Sequence, residues 1–203
     1  MENVHYSAGL LSFVTGELSR QALWTYSPGL GTKLFRTFGN DDSRGVADLG
    51  TDGKDWVWME GYDFRPGDPT YPHVRMMTAK VTTDGSPPVV RYVRDGFVGY
   101  PFGTMPVVVG CGYAARFTAV QETSGKIIQP AVIVRLRDGV THYVDTLPPD
   151  ATSFARVVGL TCDEVFFAGN EDADGTSRPN VFRVRLDSFG PGRLLPAPGD
   201  GGL

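Results

Sequence analysis

Three carboxylates, Glu60, Asp63 and Glu171, are the side chains of this sequence best suited to acid–base chemistry. Cleavage of a glycosidic bond requires two such groups on opposite sides of the bond that breaks. The sequence has no Gly-x-Ser-x-Gly nucleophile motif, and its glycine clusters read as turns between strands rather than as phosphate-binding loops. No catalytic residue is therefore predicted. A glycan hydrolase or lyase that uses carboxylates from among these three is the rival interpretation.

A proline-rich segment, residues 61–73, combines aromatic, basic and acidic side chains in a way that suits a polar ligand or a protein partner. The predicted ligand-binding residues are Tyr62, Asp63, Arg65, Tyr71 and His73. Loops that a rigid scaffold displays are the usual place for binding residues. The alternative is a stiff connection whose aromatic rings pack on the strands below it.

A second long segment contains the order Asp172-Ala173-Asp174-Gly175, which resembles the start of a calcium-binding loop. Carboxylates on alternate residues can converge on a hard cation where glycine permits a sharp turn. A complete loop of this kind also needs a glutamate at its twelfth position, where this sequence has Arg183. No metal site and no cofactor are therefore predicted, and calcium at Asp172 and Asp174 is the one ion that the pattern would suit.

The segments that must position these residues are short strands that recur along the chain. Their anchoring aromatic residues Phe13, Trp58, Phe117 and Phe167 are separated by 45, 59 and 50 residues. A repeat of about 50 residues built from short strands is typical of a β-propeller or a related all-β array. Trp56 and Trp58 lie on one face of a strand, as Val165 and Phe167 do in a later repeat, and this pattern predicts that both tryptophans belong to the core.

Each repeat divides into four strands, and the chain thereby resembles the divergent bacterial β-propeller proteins, although it lacks the signature of any functional family among them. The resemblance implies a propeller of four-stranded antiparallel blades at about residues 1–38, 45–95, 105–146 and 154–196, followed by a flexible tail at 197–203. The first blade is expected to lack most of its innermost strand, because the repeat register ends that strand at Asn3-Val4. A closed four-bladed ring and an arc of a larger ring both remain open, with the arc favoured. An arc would expose an apolar blade face and could self-associate through it.

Two features of the turns carry further predictions. Asp138-Gly139 lies between two alternating runs and predicts a two-residue type I′ hairpin turn. Cys111 and Cys162 fall in corresponding turns of neighbouring repeats, where a disulfide is geometrically conceivable. Two separate thiols are the favoured interpretation.

The formal net charge of −4 argues against a nucleic-acid-binding protein, and no apolar run is long enough for a membrane span. The first residues do not form a signal peptide, so the compartment stays open, as does any extension of the chain beyond Met1. The sequence thus favours a non-enzymatic propeller module that binds a protein or a small polar ligand. A purely structural segment of a larger propeller is a further alternative.

Overall fold

Every element of the described chain except one short helical turn is a β-strand. The computed structural model describes residues 2–16, 21–38, 43–62, 73–82, 84, 86–98, 107–117, 120–121, 127–128, 131–144, 153–171 and 178–188. These ranges contain 17 strands and a single 3-10 turn at Leu186–Ser188, with no α-helix in them. The prediction of an all-β fold is therefore confirmed. The chain divides into two compact units, the first within Met1–Pro106 and the second at Val107–Leu195.

The first unit contains two four-stranded antiparallel sheets, each with its strands in chain order. The first sheet consists of β1 (Glu2–Ser7), β2 (Leu10–Thr15), β3 (Ala22–Ser27) and β4 (Gly31–Thr37). The second sheet consists of β5 (Ser43–Thr51), β6 (Asp55–Tyr62), β7 (His73–Lys80) and β8 (Val90–Val98). Strands that follow one another in this way form a meander, which needs only short connections.

A hydrophobic core joins one face of the first sheet to one face of the second. Val14 and Leu23 of the first sheet are buried in one cluster with Trp56, Trp58 and Met77 of the second. Trp56 is 3% exposed and Trp58 is fully buried. The prediction that both tryptophans belong to the core is confirmed, since alternate residues of β6 point to the same side.

The second unit also contains two principal antiparallel sheets. The third sheet consists of β9 (Val108–Gly110), β10 (Tyr113–Phe117), β13 (Ala131–Arg135) and β14 (Thr141–Val144), and β11 (Val120–Gln121) pairs with β12 (Ile127–Ile128) in a two-stranded ribbon. The described strands of the fourth sheet are β15 (Ser153–Leu160), β16 (Glu164–Glu171) and β17 (Arg178–Arg185). Ile133 of the third sheet is buried in one core cluster with Val165 and Phe167 of the fourth.

The expectation that the first repeat lacks its innermost strand is wrong. Strand β1 runs over Glu2–Ser7 and pairs with β2 from Ser7↔Leu10 back to Glu2↔Val14. The two are joined by Ala8 and Gly9, whose φ angles of 51° and 80° are those of a type I′ turn. Alanine is uncommon at positive φ, so the sequence does not mark this turn.

The turn at Asp138-Gly139 is longer than the predicted two-residue hairpin. Gly139 has a φ angle of 71°, whereas the φ angle of Asp138 is not positive. The amide of Gly139 donates to the carbonyl of Arg135, and the amide of Arg135 donates to the carbonyl of Val140. The connection therefore spans Leu136 to Val140, with glycine at its one left-handed position.

Asp138 closes this turn as an ionised carboxylate. Arg135 Nε donates to Asp138 Oδ1 over 2.9 Å, and this bond, helped by the Val140 amide, lowers the pKa of Asp138 to about 2. Because the folded pKa lies below the unfolded value of about 3.9, the contribution to stability is present above that value and is lost as pH falls towards 2. We expect an NMR titration of wild-type Asp138 to give the low pKa. Arg135→Gln should raise it towards the ordinary value, whereas the control Arg183→Gln should leave it unchanged; an equal pKa in all three proteins would contradict the assignment.

The favoured interpretation of the two cysteines as separate thiols is also wrong. Cys111, in the β9–β10 turn, forms a disulfide with Cys162, in the β15–β16 turn, with the two Cα atoms 5.1 Å apart. The φ angles of Cys111 and Gly112 are 51° and 78°, so this turn is again of type I′. The disulfide therefore links the third sheet to the fourth through the β9–β10 and β15–β16 turns.

Gly110 marks a close approach of these two sheets. A Cβ atom at this position would lie 2.9 Å from the backbone oxygen of Leu160. We expect Gly110→Ala to lower the free energy of unfolding by about 1–3 kcal/mol, because one backbone must shift. Gly159→Ala is the matched control, since its Cβ would meet only the Phe166 ring at 3.5 Å. Denaturant unfolding of both variants checks the prediction, and equal stabilities would contradict the close contact.

Candidate functional site

Glu60 is the central residue of a polar cluster that joins the first sheet to the second. It lies near the end of β6, on the same face as Trp58, and its side chain is fully buried. Trp58 Nε1 donates a hydrogen bond of 3.0 Å to Glu60 Oε2. The burial of a carboxylate at this position is costly unless cations and hydrogen bonds compensate it.

Two arginines provide this compensation. Arg75 lies directly opposite Glu60 on β7 and donates from Nε to Oε1 over 2.8 Å, with its Nη2 at 2.6 Å from the same oxygen. Arg36, on β4 of the first sheet, donates from Nε to Oε2 and from Nη2 to Oε1, both over 3.1 Å. The fork of Arg36 thus binds both carboxylate oxygens, which is the strongest geometry for this kind of pair.

The arginines are themselves held over aromatic rings. The guanidinium carbon of Arg36 lies 5.2 Å from the centre of the Phe38 ring, and that of Arg75 lies 5.0 Å from the centre of the Tyr62 ring. Their side chains are only 18% and 17% exposed. We call Arg36, Glu60, Arg75 and Trp58 the arginine clamp. It fastens the first sheet to the second at the end of β6.

The arginine clamp surrounds the Glu60 carboxylate with hydrogen-bond donors. Both of its oxygens accept hydrogen bonds from guanidinium groups, and Oε2 also accepts from the indole. A general acid or base must lie within hydrogen-bonding reach of the substrate proton that it transfers. This carboxylate is instead directed at fixed cations inside the protein, which is the arrangement of a structural ion cluster.

Two of the five predicted ligand-binding residues flank the connection that follows β6. Tyr62 is the last residue of β6 and His73 is the first of β7, and the two are directly opposed in the antiparallel register. Tyr62 is half-buried, with its ring under Arg75. The other three, Asp63, Arg65 and Tyr71, lie outside the described residues.

The remaining candidates belong to the fourth sheet and the segment that follows it. Glu171 is the last residue of β16 and pairs through its backbone with Arg178. The calcium candidates Asp172 and Asp174 lie outside the described residues. Within the ranges that the structure describes, no three His, Cys, Asp or Glu side chains are grouped so that they could hold a metal ion.

Sequence reasoning identified Glu60 but missed both of its arginines. Arg75 is found only when the β6–β7 register is known, because Glu60 and Arg75 are separated by a long connection. Arg36 belongs to another sheet, and no periodicity relates it to Glu60. The available signal was that Glu60 follows Trp58 by two residues and therefore shares the buried face of β6. A carboxylate on a buried face needs a compensating partner.

No family model, no curated protein and no solved structure matches this chain. The fold and the contacts of individual residues therefore carry the functional argument. In the described part of the chain, no helix is long and apolar enough to cross a membrane.

Proposed function

We propose that this chain is a non-enzymatic binding module built from β-propeller-type blades, and that it recognises a protein or a small polar ligand through the connection between β6 and β7. The sheets support the blade assignment, because both sheets of the first unit are four-stranded meanders. They pack face to face through one core, as the blades of a propeller do.

The single observation that carries the proposal is the arginine clamp at the base of this connection. Strands β6 and β7 are paired without irregularity from Asp55↔Lys80 to Tyr62↔His73, so the two ends of segment 63–72 are one strand spacing apart. Directly below, Glu60 holds Arg75 of the same sheet and Arg36 of the neighbouring one. A rigid base of this kind suits the presentation of binding residues.

The same observation favours binding over catalysis. A rival hydrolase that used Glu60 would need it as a carboxylate that faces substrate, and the arginine clamp uses both of its oxygens. The segment itself carries Asp63, Arg65 and Tyr71, which suit hydrogen bonding to a polar ligand.

The test is ligand-dependent thermal stabilisation, together with selection from a displayed random-peptide library. The first panel contains amino acids, organic acids, nucleotides and neutral and acidic oligosaccharides. We expect at least one ligand or peptide class to bind wild-type protein and to bind Tyr62→Phe more weakly, because this variant keeps the ring under Arg75 and removes only the hydroxyl. Tyr92→Phe, on β8, is the matched control and should bind as wild type does.

Two results would overturn the proposal. One is the absence of binding in both screens, and the other is binding that Tyr62→Phe and Arg65→Ala leave unchanged. Thermal unfolding of each variant without ligand establishes that a lost signal is not a lost fold.

A further inference from the structure

The first sheet has a face that the core does not use. Strand pairing aligns Tyr6, Leu11, Tyr26 and Thr32 in one row across its four strands. Further members of this face are Phe13, Trp24 and Leu34 in a second row and Thr15, Ala22 and Thr37 in a third. We call these residues the aromatic face. Val14 and Leu23, which alternate with them, point to the opposite side and into the core.

The aromatic face is uncharged, and exposed residues surround a half-buried centre that contains Phe13 and Trp24. Tyr6 is 71% exposed, Tyr26 is 42% exposed and Leu34 is 49% exposed. None of the residues that form it carries a charge, although neighbours on the opposite face, such as Lys33 and Arg36, do. A contiguous exposed apolar patch of this kind marks an interaction site.

The rings at its centre are held in place before any ligand arrives. Phe13 and Trp24 stack with their planes at 10° and their centres 6.5 Å apart. Trp24 Nε1 donates a hydrogen bond of 2.9 Å to Thr15 Oγ1, which fixes the indole across the sheet. A preorganised aromatic surface binds with a smaller loss of side-chain entropy than a mobile one.

The size of the aromatic face selects among occupants. Four strands and three rows of side chains cover about 20 Å by 20 Å, or about 400 Å². Two copies joined through this face would bury about 800 Å² in total, below the roughly 1,200–2,000 Å² of a stable protein interface. A narrow ligand fits this area better than a second copy of the chain does.

The chemistry of the aromatic face selects the ligand. The absence of charge on its residues disfavours single-stranded nucleic acid, which needs cations for its phosphates in addition to stacking rings. Flat aromatic rings beside tyrosine and threonine hydroxyls suit a neutral ligand that has both apolar ring faces and hydroxyl groups. A sugar ring has both.

We propose that the aromatic face binds a neutral glycan chain. The sugar rings stack on Tyr26, Trp24 and Tyr6, and the hydroxyls of tyrosine and threonine orient the chain. This site is separate from the connection between β6 and β7, and neither proposal depends on the other.

The test is affinity gel electrophoresis and calorimetric titration with hydroxyethyl cellulose, laminarin, xylan and glucomannan, with heparin as the charged comparison. We expect at least one neutral polysaccharide to bind, to alter the fluorescence of Trp24, and to bind the double variant Tyr6→Ala, Tyr26→Ala at least about tenfold more weakly. Tyr92→Ala is the matched control, since Tyr92 is 56% exposed on the second sheet. The double variant and the Tyr92→Ala control should both unfold at the wild-type temperature, because the replaced side chains are exposed.

Three results would overturn the proposal. The first is that none of the four neutral polysaccharides binds, and the second is that binding survives in the double variant. The third is a dimer in sedimentation that the double variant converts to a monomer, because a second copy then occupies the aromatic face. Loss of binding in Tyr62→Phe alone would instead assign the glycan to the connection between β6 and β7.

Discussion

Glu60→Gln is expected to lower the free energy of unfolding by about 3 kcal/mol, because it leaves two half-buried guanidinium groups without their shared anion. Arg36 and Arg75 both bind the carboxylate directly. The measurement is equilibrium unfolding in urea, which does not screen charges. The matched control is Glu164→Gln, whose partner Arg183 is 3.5 Å away and 72% exposed; this change should cost less than about 1 kcal/mol.

A second variant separates charge from packing. Replacement of the whole ion cluster by the triple change Arg36→Met, Glu60→Leu, Arg75→Met should recover much of the lost stability, since an apolar cluster of similar volume carries no desolvation cost. Equal stability of wild type and Glu60→Gln would contradict the role of the arginine clamp.

Reduction of the Cys111–Cys162 disulfide is expected to destabilise the second unit by about 4 kcal/mol, because the bond constrains the unfolded chain over 51 residues. The measurement is thermal unfolding with and without reductant. The double variant Cys111→Ser, Cys162→Ser should match the reduced wild type and should not respond to reductant. An unfolding temperature of wild type that is insensitive to reductant, with two titratable thiols, would show that the bond does not form.

The all-β fold and the buried tryptophans of β6 were the parts of this structure that local pattern could predict. The spacing of Trp56 and Trp58, repeated at Val165 and Phe167, predicted that both tryptophans belong to the core, and Trp58 and Phe167 are fully buried. This succeeds because the two-residue period of a strand depends on neighbours along the chain.

The features that pattern could not predict depend on contacts between distant residues. The disulfide requires two turns to meet, and the correspondence of those turns in neighbouring repeats does not decide whether they do. The Ala8–Gly9 turn places a residue with a side chain at positive φ, against its intrinsic preference. The charge of Glu60 is compensated by Arg36 from another sheet, which only sheet packing brings near.

For the aromatic face, the sequence pattern could not predict which side of the sheet is covered. Leu11 and Phe13 on β2, and Trp24 and Tyr26 on β3, alternate as strongly as the core residues do. Alternation shows that residues share a side of the sheet, but it does not show which side is covered. The structure leaves Tyr26 42% exposed while Leu23 is fully buried.

The most direct test of the proposed function measures glycan cleavage and folded fraction on the same preparations of wild type and Glu60→Gln. Neutral and acidic polysaccharides are incubated with each protein, and new reducing ends and unsaturated uronates are quantified. We expect no product from either protein and a lower unfolding temperature for Glu60→Gln. Product from wild type would contradict the account. If that product also disappeared in a Glu60→Gln protein of unchanged unfolding temperature, Glu60 would be a catalytic residue and not the anion of the arginine clamp.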